Sequence, residues 1–310
     1  MFTYALKRLL ESIPVFLAIA TLTFFLIRLA PGGPFSGERE LSPLVLEQLE
    51  AHYGMDRPIL EQYGRFLWGL VQGDLGPSYA YPGWSVNELI REKIPVSLEL
   101  GFYGLVIALF LGLSAGLIAA WRPHGWLDHS VMSLAMTGIC LPTFVLGPLL
   151  LLVFALHLGW FNVSGWWLPG DRVLPSLTLG IYYAAFIARL SRGSLLEVRH
   201  QDFLRTARAK GLPEWRVMLI HSLRVGILPV VSFLGPAVAG LISGSFVVET
   251  VFNIPGLGRF FVNAAFNRDY TLVMGTVLFY SFLIIALNLV ADLLLAALNP
   301  KLRHTLGGRS

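Results

Sequence analysis

Six stretches of the chain run for 16 to 26 residues without a single Asp, Glu, Lys, Arg or His: residues 12–27, 101–121, 131–156, 173–188, 225–248 and 271–291. Helices of that length cross a bilayer, because a rise of about 1.5 Å per residue carries about 20 residues through its hydrocarbon core. None of the runs alternates apolar and polar positions, and an open sheet in lipid would leave backbone groups unpaired. The pattern therefore predicts an all-α integral membrane protein with six transmembrane helices. Lys7 and Arg8 precede the first run as in a signal peptide. Arg28 and Pro31 follow it where a small-residue cleavage site would stand, so it reads as a retained span.

Polar positions between the runs predict further helices. Ser42-Pro43 is a helix start with Gly54 as its stop, and Ser85-Val86-Asn87-Glu88 has the capping-box spacing ahead of a helix that runs to Pro95. Residues 31–97 thus form a small helical cap between residues 1–30, which hold the first span, and residues 98–310, which hold the other five. Composition agrees with membrane insertion: 55% of the 310 residues are hydrophobic and 14% charged, with a mean hydropathy of +0.67. That excludes a water-soluble enzyme of this size, a disordered chain and a disulfide scaffold, and Cys140 is the only cysteine.

The formal net charge of +4 conceals an asymmetry. Six spans put both ends of the chain on one face, and 14 of the 23 Lys and Arg fall on that face, eight of them in residues 189–224. Short loops rich in Lys and Arg stay in the cytoplasm, so the pattern predicts cytoplasmic termini and an external acidic segment at 31–97.

Several motifs invite a chemical reading. Gly112-Leu113-Ser114-Ala115-Gly116 matches the nucleophile elbow G-x-S-x-G, but the same residues spell the G-x-x-x-G of closely packed membrane helices. Packing is the better reading because no span contains a histidine; Gly240 to Gly244 is read the same way. An intramembrane hydrolase acting through Ser114 is the rival. The seven histidines form no metal-ligand pattern, and no catalytic or metal site is expected. No P-loop is present, so the chain itself carries no ATP or Mg site. Span interiors carry no ionisable residue, with Glu99, Glu249 and Asp292 near the ends, which argues against a proton- or sodium-coupled carrier. Pro142, Pro148, Pro236 and the amide of Asn288 interrupt the spans and read as kinks satisfied by neighbouring helices, with direct substrate contact as the alternative.

The segment Leu204-Arg205-Thr206-Ala207-Arg208-Ala209-Lys210-Gly211-Leu212 ends a helical pattern at a glycine, and Pro213 then opens a second short helix from Glu214. Trp215, Val217, Met218, Leu219 and Ile220 make that helix amphipathic, fit either to rest on lipid or to enter a partner's groove.

At these residues the chain resembles the inner-membrane permease subunits of ATP-binding-cassette importers. Their signature is a Glu-Ala-Ala run, a glycine and a later Leu-Pro. Here Arg205-Thr206-Ala207, Gly211 and Leu228-Pro229 take those positions, with arginine in place of glutamate. Arg28-Leu29-Ala30-Pro31-Gly32, Gly73-Asp74-Leu75-Gly76-Pro77-Ser78, Glu249-Thr250-Val251-Phe252, Pro255-Gly256-Leu257-Gly258 and Asn267-Arg268-Asp269-Tyr270 are similar to the B-type subunits of oligopeptide and dipeptide permeases. Pro34-Phe35-Ser36-Gly37-Glu38-Arg39 favours the oligopeptide branch, and Asn299-Pro300-Lys301 departs from the usual aspartate.

The resemblance implies a type I importer permease fold with an external helical cap and a cytoplasmic coupling helix, in a bacterial inner membrane. The implied partners are a homologous C-type permease, two ATPase subunits that bind ATP and Mg, an extracytoplasmic binding protein, peptide and lipid, with no nucleic acid. It implies coupling to the ATPase through Arg205, Thr206, Ala207, Lys210, Gly211, Leu212, Pro213, Glu214, Trp215, Val217 and Met218. Glu249, Pro255, Gly256, Gly258 and Asp269 would form the outer gate and binding-protein face. Dipeptide, nickel or glutathione transport are the alternatives within the family, and an ATP-independent carrier or channel is the alternative outside it.

Overall fold

A computed structural model of the protein describes residues 2–29, 32–35 and 42–298. Ala30-Pro31, residues 36–39 of the oligopeptide-branch motif, Asn299-Pro300-Lys301 and the tail after it lie outside the described residues. Among the described residues there are helices and no strand. α1 is Phe2–Leu29, α2 Pro43–Tyr53, α3 Ile59–Gln72, α4 Val86–Trp121, α5 Trp126–Cys140, α6 Thr143–Leu150 with a wide turn over Leu151–His157, and α7 Val173–Val198. Then come α8 Asp202–Ala209, α9 Glu214–Arg216 with a wide turn over Val217–Ser222, α10 Leu223–Gly226, α11 Leu228–Val251, α12 Leu257–Phe266 and α13 Tyr270–Leu298. Five helices are long and apolar enough to cross a membrane, and α5 with α6 makes a sixth if that bent pair is one span.

The local signals act where the sequence puts them. Gly54 ends α2 at φ 67°, and Ser85 and Glu88 form both halves of the capping box that opens α4. α3 was not anticipated, although Gly73 ends it at φ 74° as Gly54 ends α2. Three boundaries also differ from expectation. α4 does not stop at Pro95 but continues to Trp121. A proline there loses one intrahelical bond, whereas ending the helix would strand four carbonyls at the membrane edge. The boundary expected between residues 97 and 98 therefore falls inside a helix. α7 runs ten residues past its apolar stretch, because Ser191, Ser194, Leu195 and Val198 stay on its buried face. The span expected at 131–156 turns by 106° at Leu141-Pro142. Proline excludes the helical conformation from Leu141, which takes φ −89° and ψ 112°, so the expected kink becomes a break.

α4 and α7 pack side by side with their backbones nearly touching. A Cβ on Gly112 would lie 2.7 Å from the Ala184 carbonyl oxygen, one on Gly116 2.9 Å from that of Ala188, and one on Gly180 3.0 Å from that of Gly104. In lipid, where no hydrophobic effect drives helices together, such close approach gains dispersion contacts that side chains would prevent. Ser114 lies inside this unbroken helix, not on the strand-to-helix turn that a nucleophile elbow needs. The second glycine pair is only half a packing device: Gly240 faces the Tyr183 ring, while Gly244 has nothing within 4 Å.

Replacing Gly112 with leucine forces this seam apart and should cost about 1–3 kcal/mol. In the assembled complex in detergent the melting temperature should fall, whereas Ser114→Ala should leave it unchanged.

Candidate functional site

The α8–α10 loop is built around one left-handed residue. Gly211 takes φ 76°, a conformation nearly free of cost only to glycine. It lets Leu212 N donate to Ala207 O and Gly211 N donate to Arg208 O, the paired bonds of a Schellman stop. Pro213 then caps α9 in extended conformation. Arg208 spans the hinge, its guanidinium donating to both Glu214 oxygens at 3.1 and 2.9 Å. That bond holds the Glu214 carboxyl below the usual carboxylate range.

Beneath the hinge, Leu204, Ala207 and Val217 pack with Val198, and Met218 packs with Ala120 and Leu195. Ala207, Val217 and Met218 are thus buried beneath the hinge and not on its outer surface. Leu212 is half-buried, and Arg205, Thr206, Lys210, Gly211, Pro213, Glu214 and Trp215 face outward. The apolar outward surface is Trp215, Leu219 and Ile220, each about half exposed. The wide turn over Val217–Ser222 has a longer repeat than an α-helix, and Val217, Met218 and Ser222 are its buried residues.

The residues expected at an outer gate come together, but inward. Glu249 is fully buried, accepting from Ser245 Oγ at 2.7 Å and Arg259 N at 3.0 Å. Ser97 Oγ accepts from Leu257 N on the same turn. Gly256 and Gly258 are required by this closure: a Cβ on the first would come within 2.6 Å of the Glu249 carboxyl carbon, and on the second within 2.7 Å of Phe246 Cβ. Pro255 is half-buried beside them. Asp269, also fully buried, caps α13 through Leu272 N and ties down the segment between α3 and α4 through Ser78 Oγ and Ala80 N. These residues therefore hold α12 and residues 78–80 against the spans.

Two ion pairs had no sequence signature. Asp128, 1% exposed at the start of α5, accepts from Arg192 Nε and Nη2 at 2.6 and 2.7 Å. Glu99 of α4 meets Arg172 at 2.6 Å and accepts from Trp166 Nε1. Their partners lie 64 and 73 residues away, beyond any local spacing rule.

A multi-pass helical bundle with a rigid hinged loop between two of its spans is the build of a membrane permease. The chain belongs to the family described as binding-protein-dependent transport system inner membrane component, whose pattern matches residues 112–304, and the N-terminal pattern of such components matches residues 1–98. It is 46% identical over 308 residues to the oligopeptide transport system permease protein OppB of Escherichia coli K12, covering 98% of this chain and 100% of that one. The dipeptide transport system permease protein DppB of Bacillus subtilis is 42% identical, with 97% of each chain covered. The permease fold also superposes on an inward-facing MetNI methionine ABC transporter at a TM-score of 0.56 and 19% identity, over 68% of this chain and 96% of that one. The fold is that of a type I ABC importer permease.

The Arg208–Glu214 bridge is a third to nearly half exposed, so solvent screening limits it to about 0.5 kcal/mol. Because the folded carboxyl titrates below its unfolded value near pH 4.3, this stabilisation is present above that pH and lost as pH falls through the lowered one. The melting difference between wild type and Glu214→Gln should be small at pH 7 and shrink further as the pH is lowered below about 4.

Proposed function

We propose that the chain is the B-type permease of a bacterial inner-membrane oligopeptide importer. Identity to OppB over essentially the whole of both chains carries this reading; the somewhat lower identity to DppB makes dipeptide import the second reading. In this reading a C-type permease completes the pathway, two cytoplasmic ATPases bind ATP and Mg, and an extracytoplasmic binding protein delivers peptide. The concentration of Lys and Arg in residues 189–224 supports cytoplasmic termini and a cytoplasmic α8–α10 loop.

The loop is suited to transmit force. Its outward apolar residues offer an ATPase groove something to hold, and the buried cluster below Gly211 ties them to α7. Asp128 and Arg192 lock the same stretch of α7 to α5, so a push on the loop would move spans and not merely bend a connection. The Glu249 turn would close the outer end until that motion opens it.

Cysteines at Trp215 and Ile220 should crosslink to an ATPase subunit while one at Met218 should not. Failure at all ATPase positions would leave the α8–α10 loop resting on lipid. Gly211→Val strains φ by about 1–2 kcal/mol. Copurification with a second permease and two ATPases should survive that change while peptide-stimulated ATP hydrolysis falls, and unaltered stimulation would refute the coupling role. Uptake assays with dipeptides against longer peptides separate the two cargo readings.

A further inference from the structure

The break between α5 and α6 leaves main-chain groups without partners. Leu141 N closes α5 by donating to Thr137 O, and Val145 N and Leu146 N both donate to Pro142 O. Pro142 has no N–H, so Gly138 O loses the donor that an unbroken helix would give it. Among the described residues nothing donates to the carbonyls of Gly138, Ile139, Cys140 and Leu141, and nothing accepts from Thr143 N or Phe144 N. The hydroxyl of half-buried Thr143 has no partner there either.

These groups lie at membrane depth. A Cβ on Gly138 would stand 3.2 Å from Ile181 O, and one on Gly147 3.6 Å from Thr178 Cγ2, so the break falls between those two levels of α7. They are about 12 and 8 Å along α7 from Val173, inside its uncharged stretch at 173–188. Helix carbonyls point toward the C-terminal end of the axis and amides toward the N-terminal end. A turn of 106° therefore opens both sets on the outside of the corner, where exposed Cys140 and Pro142 stand.

Irregular backbone at this depth is tolerated only inside protein or against water, because acyl chains bond none of these groups. A helix of a second permease laid over the corner would not satisfy them, since the main-chain groups of a helix interior already bond one another. An extended peptide offers free N–H and C=O groups in alternation. Beside the corner lies a cavity of about 410 Å³. Its wall includes Gly138 and Leu141 of the break, Leu111 and Ala115 of α4, and Ala184 and Ala188 of α7, and it carries no charge.

We propose that the α5–α6 break is a main-chain station for the cargo. Its free carbonyls and amides hydrogen-bond the backbone of an extended peptide, while the cavity beside it takes an apolar side chain. This rests on the peptide-importer reading and adds to it the residues that touch peptide. Recognition of this kind is indifferent to sequence, because every residue except proline brings the same N–H and C=O.

The test uses the assembled importer in nanodiscs, with its partner chains freed of cysteine so that Cys140 reports on the corner. A charged methanethiosulfonate should modify Cys140 in at least one nucleotide state. Modification by apolar N-ethylmaleimide alone, or by neither reagent, would overturn the station. Contact with cargo is read with a tripeptide of alanines whose central residue is replaced by photo-leucine, loaded on the binding protein and driven by ATP. Its adducts should map to residues 134–146. Methylating the central amide nitrogen, at equal loading of the binding protein, should lower their yield about fivefold, the worth of one hydrogen bond. Equal yield would overturn main-chain bonding. Import of tri-alanine with no adduct in that segment would overturn the station and spare the importer reading, whereas no import of any peptide would sink both. Ala115→Leu narrows the cavity and should reduce import of Ala-Phe-Ala about tenfold more than import of tri-alanine. An equal effect on the two peptides would overturn the side-chain seat.

Discussion

The bundle depends on two backbones touching. Along α4 and α7, Gly104, Gly112, Gly116 and Gly180 remove the side chains that would hold the helices apart. The register is parallel: Gly104 lies by Gly180, Gly112 by Ile187 and Gly116 by Ser191. A parallel pair requires the chain to return between its members, and the broken α5–α6 element makes that return. α11 packs on the same pair, with Tyr183 reaching Gly240 and Leu241 reaching toward Gly104. What lies at either end, the Glu249 turn and the α8–α10 loop, inherits its position from this seam.

Charge is used sparingly and where it fixes geometry. The pairs Asp128–Arg192 and Glu99–Arg172 each join elements distant in sequence, near opposite ends of α7. Removing Arg192 would leave the buried Asp128 carboxylate uncompensated, so that contact specifies an arrangement even when its net stabilisation is small. Glu249 works differently: among the described residues no cation pairs with it, and it is satisfied by a hydroxyl and by amides of the turn it closes.

What the sequence made legible was whatever is written locally. Membrane runs, the Ser85–Glu88 box, the Gly54 and Gly211 stops and the glycine spacing of α4 each depend on neighbours within about seven residues. Helix ends were less legible, since Pro95 stops a helix only where stopping is cheap and α7 is prolonged by packing its sequence neighbours do not reveal. Of the candidate loop, the Gly211 stop was legible; which of residues 205–218 face outward was not, since that depends on the wide turn at Val217, and the inward orientation of Glu249 and Asp269 depends on partners up to 191 residues away.

The unbroken length of α7 has a mechanical consequence. Its 26 residues make a rod of about 39 Å. The closest backbone approach of the seam, Gly112 against Ala184, lies about 17 Å from one end and about 21 Å from the other. A rod pivoting there has a lever ratio near one. A displacement imposed at Val198 reappears at Val173 with nearly the same amplitude and the opposite sense, so the two mouths of the bundle cannot widen together.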